Sequence, residues 1–170
     1  MYCYDVYEHI GSGSVVNYTI NLAGESARTL DFLGAVNHVL NQNPSTYDPY
    51  AWLHPGNGYV AAAIQLGIWE SKYEDVNGAW DIADGSFRAS ELETATKGHL
   101  ESFFGAIGNT ASLDGKYVMT LEAHGAQDMI TGDPPPTDVP EPGTLALLGA
   151  AVVGLVTTRR RAGTAAAAST

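Results

Sequence analysis

Cysteine occurs once in the chain, at Cys3. A lone thiol excludes an intramolecular disulfide framework, so the fold has to be held by its core, and the thiol needs another reason to be there. Basic residues are scarce as well: eight Lys and Arg stand against nineteen Asp and Glu, and three of the eight are the consecutive Arg159, Arg160 and Arg161. Residues 1–158 thus carry five positive and nineteen negative charges, a net −14. A body of that sign repels phosphate, which argues against nucleic acid as a partner. Also missing are an internal repeat, a Gly-rich phosphate loop and a nucleophile elbow of the G-x-S-x-G type. His9, His38, His54, His99 and His124 are scattered, with no pair at metal-ligand spacing. The acidic stretch "DIADGSF" lacks the ligand series of a calcium loop and reads as a solvated turn. Glu70, Glu74 and Asp75 read as a solvated helix end. Neither a metal nor a cofactor is expected, and nothing supports a turnover enzyme.

What is present begins with length. A chain of 170 residues suits one domain and can bury a core. Alternating, β-rich sequence comes first, "MYCYDVYEHI" and then "SVVNYTINL", separated by "GSGS", which predicts a hairpin. Leu30, Leu33, Val36 and Leu40 fall at helical spacing and predict a helix over residues 27–40. After the breaker "NQNPSTYDPY", a second helix is expected over residues 59–73, "YVAAAIQLGIWESKY", apolar around most of its circumference. A third is expected from Ser90, with Glu93 three residues on as a capping box. "KYVMTLEA", residues 116–123, is the last clear strand. Strands at both ends with about three inserted helices indicate α+β, with the strands arranged as a sandwich or barrel.

The chain ends differently. Five of its eight prolines lie in "GDPPPTDVPEPG", residues 132–143, where missing backbone donors favour an extended linker. Residues 144–158 carry no charge and are rich in Leu, Ala, Val and Gly. As a helix they would span about 22 Å, short of the roughly 30 Å hydrocarbon core. The three arginines that follow can snorkel to headgroups and favour a cytoplasmic C-terminus, with the acidic body outside. The organisation expected is a domain over 1–130, a linker over 131–143, a short membrane helix over 144–158 and a basic tail over 159–170.

Pro140, Glu141 and Pro142, then Gly143, the apolar run and Arg159, Arg160 and Arg161, resemble a PEP-CTERM sorting signal of Gram-negative bacteria. The resemblance implies export, transient anchoring in the inner membrane, an exosortase as partner, cleavage near the Pro-Glu-Pro motif and release to the cell surface or matrix. Export also calls for an N-terminal signal peptide, which "MYCYDVYEHIGSGS" does not resemble. The expectation is that Met1 lies inside the mature domain of a longer precursor.

Two further segments are unusual together. "YCYDVYEHI" places Cys3 on an early strand, and "AAAIQLGIWE" places Gln65 within an apolar helix, where an amide needs a hydrogen-bonding or a reaction partner. The pair resembles the Cys-Gln thioester domains of bacterial surface proteins, in which a strand-borne cysteine follows an aromatic residue and the glutamine sits in T-Q-x-A-I-W. Tyr2 and Cys3 match the first part, and Gln65, Ile68 and Trp69 match the second, while Ile64 and Gly67 replace the Thr and Ala. The resemblance implies a thioester between Cys3 and Gln65 that is consumed once, by an amine on a target surface. The alternative is a noncovalent matrix protein that binds exopolysaccharide, with Tyr47, Tyr50 and Tyr59 near Trp52 as stacking surfaces.

Overall fold

The computed structural model describes residues 1–8, 11, 13, 15–41 and 44–134, all within the unit Met1–Pro135. Helix α1 (Ala27–Leu40) starts where the Ser26 side chain accepts from the Thr29 N–H, and it buries Phe32, Leu33 and Val36. Helix α2 (Gly58–Tyr73) starts at Asn57, whose side chain accepts from the Tyr59 and Val60 N–H groups. Helix α3 (Thr94–Ala106) begins later than a capping box at Ser90 requires: Glu93 is itself the N-cap and makes no side-chain cap bond. The reason is Glu91, which sits at φ 58° and cannot belong to a right-handed first turn.

Four strands form one antiparallel sheet among the described residues: β1 (Tyr2–Cys3), β2 (Thr19–Asn21), β3 (Met119–Ala123) and β4 (Ala126–Thr131), in the order β1-β4-β3-β2. This corrects two expectations. The fold is α+β, but a single sheet replaces the sandwich or barrel. The N-terminal segments do not form a hairpin either, for β1 and β2 lie at opposite edges. The local hairpin is β3–β4, turning through His124 and Gly125, where Gly125 adopts φ 78°. β1 instead pairs with β4, Tyr2 opposite Ile130 and Cys3 opposite Met129, which sends Tyr2 and Tyr4 into the core. β4 runs to Thr131, into the stretch read as linker. No described helix is long and apolar enough to cross a membrane, and residues 144–158 lie outside the described residues.

The core joins the inner sheet face (Tyr2, Tyr4, Val118, Ile130) to all three helices. Gly67 is part of that packing: a Cβ there would come within 2.0 Å of the Phe32 ring. An alanine at position 67 would therefore force the Phe32 ring to move. Asn37, fully buried on α1, donates to Pro49 O at 2.7 Å and accepts from Trp52 N–H at 2.9 Å, fastening the turn that carries Trp52 into the core.

Glu70 is not a solvated helix end. It is fully buried, with Oε1 3.5 Å from Arg28 Nη2 and accepting weakly from Asp81 N–H at 3.3 Å. Arg28 in turn donates to Gly78 O and Ala79 O and lies 3.7 Å from the Trp80 ring centroid, so the pair pins the 78–81 segment onto α1 and α2. Burial pushes the Glu70 carboxyl up to about 7, against the pull of the Asp81 N–H and the Arg28 charge.

A carboxyl raised on folding takes up its proton earlier in the native state, so its destabilising effect is full above that value and disappears as pH falls toward 4.5. The stability of the native chain relative to Glu70→Gln is therefore expected to rise by about 1–3 kcal/mol between pH ~8 and pH ~5, measured by urea denaturation. A difference independent of pH would contradict this.

Candidate functional site

β1 is an edge strand, and its two sides have different partners. Toward β4, the Tyr4 N–H donates to Asp128 O at 2.7 Å. The backbone groups of Cys3 alternate with those of Tyr4 and point to the open edge, where they would need water or another strand. Gln65, from the middle of α2, supplies the partner. The Cys3 N–H donates to Gln65 Oε1 at 2.9 Å, and Gln65 Nε2 donates to Cys3 O at 2.7 Å. One carboxamide thus does the work of one residue of a neighbouring strand. It also satisfies the only polar side chain between Ala61 and Trp69.

The structure therefore brings Cys3 and Gln65 together across 62 positions of sequence. The Cys3 thiol is free and half-buried, and burial pushes its pKa up from the ordinary thiol value. The Gln65 carbonyl is polarised by the Cys3 amide N–H. No metal-binding cluster occurs among the described residues.

The supporting residues take distinct places. Tyr2 is buried, donates its hydroxyl to Trp52 O at 3.0 Å, stacks on the Trp52 ring at 5.8 Å, and is raised to about 12 by burial. Ile68 is fully buried in the core. Trp69, one turn beyond Gln65, packs on Phe87 at 6.2 Å, with its buried Nε1 unpartnered. Trp52 is fully buried and Tyr50 packs edge-on against Tyr117, so only Tyr47 and Tyr59 of the aromatic set are exposed. Pro140, Glu141, Pro142, Gly143, Arg159, Arg160 and Arg161 lie outside the described residues.

A second contact, not expected from the sequence, lies beside the first. Asp5, two residues past Cys3, accepts from Tyr73 Oη at 2.9 Å and lies 4.0 Å from Lys72 Nζ. Lys72 and Tyr73 follow Gln65 by seven and eight residues, a spacing that returns to the same side of α2. That periodicity was the available signal.

Compared with known proteins, residues 138–161 match the PEP-CTERM protein-sorting motif. No curated protein and no solved structure matches the chain. The motif marks an exported protein that is anchored in a membrane while an exosortase processes it, and is then released or displayed at the surface.

Replacing Gln65 with Leu removes both edge bonds and is expected to cost about 1–3 kcal/mol. In hydrogen exchange followed by NMR, the Cys3 N–H should lose protection by about tenfold or more relative to the Tyr4 N–H, which keeps its β4 partner. Equal protection of Cys3 in both proteins would contradict the edge-capping role.

Proposed function

We propose that the folded domain, carried outward across the inner membrane and sorted by its C-terminal signal, forms an internal thioester between Cys3 and Gln65 and spends it once in covalent attachment to a surface amine. The observation that carries this reading is the two-bond contact between the Gln65 amide and the Cys3 backbone. Cys3 Sγ attacks Gln65 Cδ, the bond from Cδ to Nε2 breaks, and the amide nitrogen leaves as ammonia, taking up the thiol proton. A primary amine then attacks Cδ, the C–S bond breaks, an amide forms, and the proton lost by the amine restores the Cys3 thiol. Each molecule reacts once, so the protein is not a turnover catalyst.

Four features suit this chemistry. The two groups are held in place by the fold, which removes the entropic cost of bringing them together. Partial burial of Cys3 restricts water at the acyl carbon. A thiol with a raised pKa is also a poorer leaving group, which prolongs the life of the thioester until an amine arrives. The acidic body complements amine-bearing, cationic targets.

The test is incubation of the native domain with a biotinylated primary amine, followed by peptide mapping. The expected product carries the amine on Gln65, with one ammonia lost and Cys3 newly open to alkylation; Cys3→Ala should give none. An unlabelled Gln65 with Cys3 freely alkylated from the start would refute the thioester and leave noncovalent association with matrix or exopolysaccharide as the role of the domain.

A further inference from the structure

α2 holds the N-terminal segment at two points. The first is Gln65 on Cys3. The second is the last turn of the helix on Asp5: Tyr73 Oη donates to Asp5 Oδ1 and accepts from the Val6 N–H at 3.0 Å, and the Tyr73 ring meets Tyr7 edge-on at 5.3 Å. Lys72 Nζ adds a contact at 4.0 Å to Asp5 Oδ2 and lies 4.0 Å from the Tyr4 ring centroid. Helical side chains lean toward the N-terminus of their helix, so the Tyr73 hydroxyl reaches back to the level of a residue only two positions along the strand from Cys3.

Burial opposes ionisation of Asp5, but hydrogen bonds from the Tyr7 N–H and Tyr73, with the Lys72 charge, hold its carboxyl below the ordinary value. Burial keeps the Tyr73 phenol protonated, raised to about 12, so it remains the donor. The main chain at Asp5 is fixed separately, since Gln127 Nε2 donates to Asp5 O. Loss of the Asp5 or Tyr73 side-chain contact therefore leaves the strand tied to α2 through Gln65 and still bound to β4.

A single contact between a strand and a helix permits sliding; two contacts set the register. We infer that Asp5 and Tyr73 are positioning residues for the acyl centre, fixing β1 along α2 so that Cys3 meets the Gln65 carbonyl. This rests on the thioester reading above. Attack at a carbonyl needs alignment to a fraction of an ångström, and a displacement of about 1 Å can cost on the order of a hundredfold in rate. The second contact is thus required by the chemistry more than by stability, because Tyr73 and Asp5 belong to the rim of the core and not to its centre.

The experiment follows ammonia loss by intact mass after refolding, in the native chain, Tyr73→Phe, Asp5→Ala and Phe103→Leu, the last a core truncation on α3 away from both contacts. Near-ultraviolet circular dichroism establishes that each is folded. The expected result is ammonia loss slowed about tenfold or more in folded Tyr73→Phe and Asp5→Ala, with Phe103→Leu at the native rate despite lower stability. Tyr73→Phe removes one hydroxyl and keeps the inference testable if Asp5→Ala does not fold. Native-rate ammonia loss in Tyr73→Phe would overturn the inference alone, as would equal slowing in Phe103→Leu. Absence of ammonia loss from the native chain would overturn the thioester reading and the inference together.

Discussion

One carboxamide determines how the N-terminal strand is held. β1 is two residues long and pairs on one side only, so half of its backbone groups would face water or an adventitious strand. Gln65 closes that side by donating to and accepting from the same residue, Cys3. The bond pair ties the first strand to the central helix, while the pairing of β1 with β4 ties it to the last strand. Tyr2 and Tyr4, on either side of Cys3, can then enter the core, where Tyr2 stacks on Trp52 and the Tyr4 hydroxyl meets Thr29. A break at Gln65 would open the free side of β1 and leave its pairing with β4 in place.

The same contact joins structure to chemistry. An amide buried against a backbone is in its lowest-energy arrangement when both bonds are made, and here both are made to the residue that carries the one thiol of the chain. In the proposed chemistry the register of β1 along α2 is decisive, and the contacts of Tyr73 and Lys72 with Asp5 help to hold it. The Arg28–Glu70 pair has a comparable organising role on the other side of α2, where a buried charge fastens an irregular segment that apolar packing alone would leave loose.

The helices are the most legible part of the fold. Apolar residues at helical spacing and capping side chains at Ser26 and Asn57 make α1 and α2 readable from local sequence. Strand pairing is not local: β1 and β4 stand at opposite ends of the domain, and the alternation in "YCYD" is equally compatible with a hairpin partner at residues 15–22. β4 itself, with Gln127 and Asp128 among its residues, resembles a polar loop until its hairpin with β3 is seen. Glu70 looks solvated because it stands close to Glu74 and Asp75 near the end of its helix; Arg28, its ion-pair partner, comes from another helix. At the site, Cys3 and Gln65 stand out as a lone thiol and a lone amide in apolar company. Asp5 and Tyr73 do not, since a tyrosine at a helix end reads as apolar coverage and only the folded chain brings its hydroxyl to a carboxylate.

The sorting motif at residues 138–161 marks an exported protein, and outside the cytoplasm a thiol without a disulfide partner is uncommon. The most direct measurement of the central claim is the intact mass of the native domain under denaturing, non-reducing conditions, before any amine is added. A formed thioester gives a mass lower than the sequence by one ammonia, returning to the full value in Cys3→Ala apart from the substitution itself. A native domain at full sequence mass, with an alkylatable Cys3, would contradict it.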